Sequence, residues 1–392
     1  MKYDSVIVRF GGEIGIKGRW TRRTYEKMLL RNVKKALKHY NIPYEKIIHK
    51  QGRMYINTKE TQGTASMLTR VFGVSSVSPA VETVSGLNEI VQKAVELADN
   101  TLKRGGSFAV RCRRVGEQSY SSMDVCREAG KQILAKLENR DLRVDLKNPQ
   151  FTVGVEVRDE YAYIFSETLQ CSDGFPLGSQ PRVICLLSGG IDSPVACWLA
   201  MKRGCPIIPV YFDIETFTDE AAATSKVLDV ARKLFEWSIG FPRKVYIVPH
   251  GRNLETFMRE NPRKLTCVLC KRMMYRIAEQ IAETEKAEGI ITGEAIGEHA
   301  SQTLTNLRVL NEAVTEYPVH RPLLGFNKLE IVRLAQKIGT FKISTRRAGG
   351  CSAVPKRPST RARLRIVRKT EQELDIEGMI EESVRATRIV TV

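Results

Sequence analysis

The sequence predicts an α/β multidomain protein, in which a small α/β unit and a compact α+β domain precede a doubly wound parallel sheet. Three observations carry that expectation. After residue 182, apolar runs alternate with helical patterns, the rhythm of a parallel sheet. Residues 61–168 mix helices and strands and close on an antiparallel pair, as α+β domains do. Between them, 171–181 concentrates Gly, Pro and Ser, the composition of a linker. A chain of 392 residues has room for two or three domains, and we expect divisions at 1–60, 61–168, a linker at 169–181, and 182–392.

In order, residues 3–10 alternate as a strand, and the glycine-rich 11–18 reads as a flexible loop. A basic helix over 19–40 carries Met28, Leu29, Val33, Ala36 and Leu37 on its apolar stripe. Short strands at 44–50 and 53–58 complete the first unit. Its glycines are spaced G-x-x-G-x-x-G, which is not the dinucleotide fingerprint. The second region reads helix 63–72, strand 77–84, helix 87–104, strand 107–114, helix 122–139 and strands 151–157 and 161–166. In the third, strands at 183–187, 207–212, 245–248 and 289–292 alternate with helices at 194–203, 220–237, 271–286 and 327–338, and a last helix spans 371–387.

The 42% hydrophobic and 27% charged content is that of a globular chain and excludes a mostly disordered one. The net charge is +18, unevenly spread. Residues 1–60 hold fifteen basic and five acidic side chains, 61–168 balance, and 342–369 contain ten basic and no acidic residues. Two separated basic clusters fit a long polyanion touching several domains, as a nucleic acid does. No apolar run approaches the ~20 residues of a membrane span, and the N-terminus lacks a signal-peptide core. Nine cysteines, sparse and odd in number, suit free thiols in a reducing compartment. A cytoplasmic protein is expected.

The sharpest motif is Ser188-Gly189-Gly190-Ile191-Asp192-Ser193, between a buried strand and a helix opening near Pro194. The glycines let backbone approach a phosphate, the serines add hydroxyl donors, and the helix N-terminus adds N–H groups and positive dipole. No Walker A string occurs. Cys267-Val268-Leu269-Cys270 precedes the helix at Lys271, and Cys351 sits in the basic loop 346–352. Helix N-terminus and neighbouring cations are expected to lower these thiol pKa values. Most of Cys112, Cys126, Cys171, Cys185, Cys197 and Cys205 read as small core residues.

The string 188–193 resembles the pyrophosphate loop of enzymes that adenylate a substrate and then displace AMP. With it, Gly12–Gly18, the Lys271-Arg272-Met273-Met274 block, 292–297, 301–304, and Arg321-Pro322-Leu323 followed by Lys328 and Cys351 resemble the tRNA 4-thiouridine synthetase (tRNA sulfurtransferase) family over essentially the whole chain. The resemblance implies a ferredoxin-like N-terminal domain, an RNA-binding THUMP domain over 61–168, and a pyrophosphate-loop ATPase domain. It implies that uridine at position 8 of tRNA is adenylated and its carbonyl oxygen replaced by sulfur, and some relatives also serve thiamine (thiazole) synthesis. Longer members end in a rhodanese domain, which this chain lacks.

The resemblance implies roles for Cys351, Asp192 and Lys328 in catalysis, with Asp192 on a Mg²⁺–pyrophosphate. Candidate ATP contacts are Leu186, Leu187, Ser188, Gly189, Gly190, Asp192, Ser193, Tyr211, Phe212, Lys271, Arg272, Gly293 and Gln302. Cys267, Cys270 and Cys351 are either three ligands of an iron–sulfur cluster, or a CxxC beside a persulfide- or disulfide-forming Cys351. Lys17, Arg19, Arg22 and Arg23, then Arg111, Arg113 and Arg114, then Arg346 and Arg347 are candidate tRNA contacts. Expected partners are tRNA, a sulfur donor such as a cysteine desulfurase or free sulfide, and a second copy of the chain. Two rival readings are a small-metabolite adenylating synthetase, which tRNA binding would exclude, and a non-enzymatic tRNA-binding factor, which would exchange no pyrophosphate with ATP. A THUMP methyltransferase is disfavoured, because the nucleotide loop is of the wrong type.

Overall fold

The computed structural model describes residues 2–50, 52–259, 262–347 and 349–392. The chain forms two compact units, Met1–Phe175 and Pro176–Val392.

In the first unit the chain runs β1 (Ser5–Phe10), α1 (Gly12–Gly15), α2 (Arg19–His39), β2 (Lys46–Lys50), β3 (Arg53–Asn57), α3 (Thr61–Leu68), β4 (Val74–Val84), α4 (Leu87–Thr101), β5 (Ser107–Val115), α5 (Ser122–Lys136), β6 (Arg143–Val144), β7 (Phe151–Arg158), β8 (Tyr161–Phe165) and β9 (Leu169–Gln170). The strands join in the order β2-β3-β1-β4-β8-β7-β5-β6, with β9 on β4. The long strand β4 spans both halves: residues 74–80 pair with β1 and 81–84 with β8. Leu29, Val33, Ala36 and Leu37 of α2 are buried as the apolar stripe demands, while Met28 is only half-buried. The expected loop 11–18 contains the short helix α1, which buries Ile14. The expected linker begins as β9, and its Phe175 and Leu177 are buried.

One buried carboxylate ties β7 to β1 and β3, strands that are not its neighbours in the sheet. Glu156 of β7 accepts from Arg9 of β1 (3.2 Å), Arg53 (3.1 Å) and Tyr55 (3.2 Å) of β3, and Arg158 of β7 itself (2.7 Å). Tyr55 also stacks on Tyr163 of β8 at 4.2 Å between ring centroids. Burial alone would raise the Glu156 carboxyl, but the three guanidinium groups outweigh it and hold it below the usual range.

The second unit runs β10 (Val183–Leu186), α6 (Asp192–Lys202), β11 (Ile207–Asp213), α7 (Glu220–Phe235), β12 (Lys244–Pro249), α8 (Gly251–Arg259), α9 (Thr266–Glu285), β13 (Ile290–Ile291), α10 (Leu304–Asn311), β14 (Val319–His320), α11 (Lys328–Ile338), α12 (Phe341–Ser344), α13 (Leu364–Gln372), α14 (Ile376–Arg385) and β15 (Arg388–Thr391). The sheet order is β14-β13-β10-β11-β12-β15, parallel except for β15, which adds antiparallel to β12. Strand β11 is buried along its whole length, as a central parallel strand covered on both faces must be. The order reverses between β10 and β13, which puts a crevice at their carboxyl ends.

Two expectations are corrected in this unit. The helix expected over 371–387 is two helices, because Asp375 caps a new start by accepting from the Gly378 N–H at 3.0 Å. The CxxC does not precede its helix but lies in the first turns of α9, which starts at Thr266.

Replacing Glu156 with Ala leaves three guanidinium groups without their shared counter-charge. The unfolding free energy of the first unit should fall by about 3–5 kcal/mol, read by hydrogen exchange of β1 and β7 amides in the full chain. Because the carboxyl is depressed, its contribution is complete above the unfolded value of about 4.5 and is lost as pH falls through the folded one. Unchanged exchange protection would refute this account of the hub.

Candidate functional site

The strand β10 ends and α6 begins around a loop held closed by its own serines. The Ser188 N–H donates to Ser193 Oγ at 2.9 Å, and the two hydroxyl oxygens lie 3.0 Å apart. Gly189 backs onto the Lys226 stem, where a Cβ would meet Lys226 Cδ at 3.1 Å. Gly293, just past β13, packs against the start of α6: a Cβ there would lie 2.6 Å from Ser193 N and 2.7 Å from its Cα. Only glycine allows that approach.

A cavity of about 650 Å³ opens at this edge. Ser188, Gly189, Gly190, Tyr211, Phe212 and Lys271 line it, together with all three candidate thiols Cys267, Cys270 and Cys351. The basic loop carrying Cys351 is tied to the same wall. Ser344 Oγ donates to the Gly190 carbonyl (3.0 Å), Lys226 Nζ to the Arg346 carbonyl (2.8 Å), and the Ser352 N–H to the Phe217 carbonyl (2.9 Å).

Asp192 is not in the cavity lining. Both its oxygens accept from Lys328 Nζ (2.7 and 3.0 Å), which also donates to Glu298 at 2.9 Å. Leu187 is buried and Leu186 packs against the core, so these two hold the strand rather than line the cavity. Gln302 is buried beside the lining residue Ser301, with its Oε1 lacking a hydrogen-bond partner.

The Lys271 ammonium is positioned by Glu294, whose carboxylate accepts from Lys271 (2.8 Å), Tyr275 (2.7 Å), Arg321 (2.8 Å) and Thr292 (3.1 Å). Burial by itself would raise this carboxyl, but Lys271, Tyr275 and Arg321 together pull it down to about 2.

Three site expectations are corrected. Arg272 is only 1% exposed and does not face the cavity; its guanidinium is consumed by Glu371 and Glu312, each at 2.7 Å, and by the Val309 carbonyl. Arg111, Arg113 and Arg114 do not form one patch, because strand alternation puts Arg114 on the opposite face, bonded to the Gly116 carbonyl and Gln118. The thiols of Cys267 and Cys270 are raised, not lowered: burial dominates, Cys351 adds to it, and Lys271 opposes too weakly. Cys351 itself is exposed.

In the first unit, Lys17, Arg19, Arg22 and Arg23 come together around a polar pocket with Glu26 and His49. Arg346 pairs with Asp229 at 2.6 Å, and Arg347 is exposed.

Sequence reasoning missed Lys226, Glu294 and His250. Glu294 lies within the 292–297 block, which is a signal the sequence does carry. His250 is fully buried, with Nε2 3.3 Å from Cys270 Sγ and Nδ1 3.1 Å from Asn253 Nδ2, and burial lowers its pKa to about 3. No pattern in the chain announces it.

As for metal chemistry, the soft thiols suit an iron–sulfur cluster by donor type. Yet among the described residues no group of three or more His, Cys, Asp or Glu is arranged to hold a metal ion. No helix among the described residues is long and apolar enough to cross a membrane.

Comparison with known proteins matches residues 178–376 to the family described as thiamine biosynthesis protein (ThiI), 84–167 to the THUMP domain and 5–78 to the ThiI ferredoxin-like domain. A probable tRNA sulfurtransferase of Methanosarcina mazei is 41% identical over 98% of this chain and 95% of its own length. One of Methanocaldococcus jannaschii is 36% identical over 95% and 97%. Among solved structures, a 4-thiouridine synthetase in complex with RNA and bound ATP superposes with a TM-score of 0.88 at 35% identity, covering all of both chains. A protein of Pyrococcus horikoshii gives 0.68 at 27% identity, over 86% of this chain and 99% of its own.

The depressed Glu294 carboxyl also yields a test. Between an unfolded value near 4.5 and a folded one near 2, it contributes roughly 3 kcal/mol at neutral pH, lost as pH falls through that window. Glu294→Gln should remove this acid sensitivity from the second unit's unfolding and lower its neutral-pH stability; an unaltered pH–stability curve would contradict the assignment.

Proposed function

Because this chain belongs to the tRNA sulfurtransferase family, we propose that it performs ATP-dependent thiolation of tRNA, converting a uridine at position 8 to 4-thiouridine. One observation carries the reading: the phosphate-type loop Ser188–Gly190 and the thiols Cys267, Cys270 and Cys351 line a single cavity. Nucleotide activation and sulfur delivery need such proximity, since the activated carbon must meet a sulfur nucleophile before water reaches it.

In this reading the uridine carbonyl oxygen attacks the α-phosphate of ATP and pyrophosphate leaves. The loop N–H groups and the α6 N-terminus face the departing charge. Tyr211 and Phe212 form the wall for the adenine, at the edge where parallel sheets bind nucleotides. Lys271 and Lys226, both on the cavity wall, balance phosphate charge there. Lys226 also bonds the loop that carries Cys351, so phosphate contact and thiol position share one side chain.

Asp192 and Glu298 offer the hard oxygen donors that Mg²⁺ takes, and both converge on Lys328. A Mg²⁺ ion held by these two carboxylates would supply neutralisation of pyrophosphate charge. Sulfide, free or supplied by a cysteine desulfurase, then adds to the activated carbon and AMP departs with the original oxygen.

Cys351, exposed at the cavity, is our choice for the thiol that positions the incoming sulfide against the activated carbon, with Cys267 and Cys270 beside it. A cluster on all three is not routed into the mechanism, because the thiols as arranged do not form a metal-holding set. We assign RNA gripping to residues 1–60 and 61–168 and adenylation to 182–392. A second role in sulfur supply for thiamine synthesis is supported by the description of the matched family alone.

The test is anaerobic 4-thiouridine formation on unmodified tRNA with ATP and sulfide. Cys351→Ser should lower thiolation by at least ~100-fold while ATP–pyrophosphate exchange persists. If Cys270→Ser is equally inactive and wild type carries iron, the three thiols hold a cluster. If Cys270→Ser is active in iron-free protein, Cys351 works alone and the CxxC is structural. Wild type that adenylates no tRNA overturns the reading.

A further inference from the structure

The outward face of α2 carries charge that the basic pocket beside it does not account for. Arg23, which also borders that pocket, and Lys27, Arg31, Lys34 and Lys38 beyond it recur every three or four residues and are all exposed, so they stack along one side of the helix. The opposite side buries Leu29, Val33, Ala36 and Leu37. From Arg23 to Lys38 the row extends about 22 Å. The only acidic residue of α2, Glu26, lies off the row and is engaged by Arg22 at 2.9 Å, with His49 at 3.5 Å.

Trp20 stands at the head of this row, three residues before Arg23 and seven before Lys27, and is 79% exposed. The chain's other two tryptophans are buried and pack edge to face on one another. A solvated basic face explains the cations but leaves the indole without a purpose. A cationic track ending in an exposed aromatic ring is the combination that binds single-stranded nucleic acid: cations follow the phosphates, and the ring stacks a base.

We propose that this face of α2 is an RNA-binding track, in which Arg23, Lys27, Arg31, Lys34 and Lys38 contact backbone phosphates and Trp20 stacks on an unpaired base. The proposal rests on the reading that the substrate is RNA, and it names a surface for that substrate beyond the Lys17–Arg23 pocket. An acidic protein would satisfy the cations but has no use for a flat indole with open faces.

Two variants of the full-length protein separate the parts. In a Lys27→Gln, Arg31→Gln, Lys34→Gln, Lys38→Gln protein, the slope of log affinity for tRNA against log salt should shrink by about 3, near 0.7–0.9 per lost contact. Trp20→Ala should weaken tRNA binding by roughly 5- to 150-fold with the salt slope unchanged, and Trp20→Phe should recover part of the loss. In wild type, tRNA should shield the exposed tryptophan from acrylamide quenching, whereas a blunt duplex of equal length should not.

An unchanged salt slope, or unchanged affinity in Trp20→Ala, overturns the track while tRNA thiolation by wild type stands. Stronger binding of poly-glutamate than of tRNA also overturns it. Wild type that binds no tRNA removes the functional reading and the track together.

Discussion

The second unit depends on keeping one carboxylate charged where water cannot reach it. Glu294 sits just past β13, at the reversal of strand order, and gathers Lys271 from α9, Arg321 from beyond β14, and the hydroxyls of Tyr275 and Thr292. A buried charge is tolerated only when paired and hydrogen-bonded. Satisfying it therefore fixes where α9 meets the sheet edge, and with α9 come Cys267, Cys270 and Lys271 on the cavity wall. The preceding Gly293 contributes by absence, letting this strand end press against the first turn of α6. Phosphate loop and thiol helix are thus located by adjacent residues.

The first unit uses the same device for a different end. Glu156 collects Arg9, Arg53 and Tyr55 from strands far away in sequence and Arg158 from its own strand, tying β1 and β3 to β7. Strand β4, shared by both halves, keeps them covalently and by hydrogen bonding in one sheet. A surface salt bridge would do little here; the buried network commits the geometry because breaking any part strands a charge. The outer face of α2 is exposed, and there much of the positive charge of the N-terminal segment collects.

The thiols show how competing influences are decided. Proximity to a helix N-terminus and to Lys271 argues for thiolate, yet burial raises both Cys267 and Cys270. Desolvation is the largest influence on both, Cys351 adds to it, and the charge of Lys271 opposes it too weakly. Cys351 lies exposed in a loop on the same cavity wall. The structure so distinguishes an exposed thiol from two half-buried ones sharing the same cavity.

By itself the sequence determined the order of the main strands and helices, the apolar stripe of α2, the alternation that builds the parallel sheet, and the strand–loop–helix at 183–202, because these follow from local periodicity and backbone preference. It also announced the thiols and the basic segments, which are matters of composition. Only the tertiary structure decided that Arg272 is an internal ion-pair residue while Lys271, one position earlier, faces the cavity. It alone divided Arg114 from Arg111 and Arg113, split the last expected helix at Asp375, and brought Lys226 and His250 to the site. The reason is common to all of these. Which face of an element is buried, and which partner neutralises a charge, depends on residues tens to hundreds of positions away, and no local pattern carries that information.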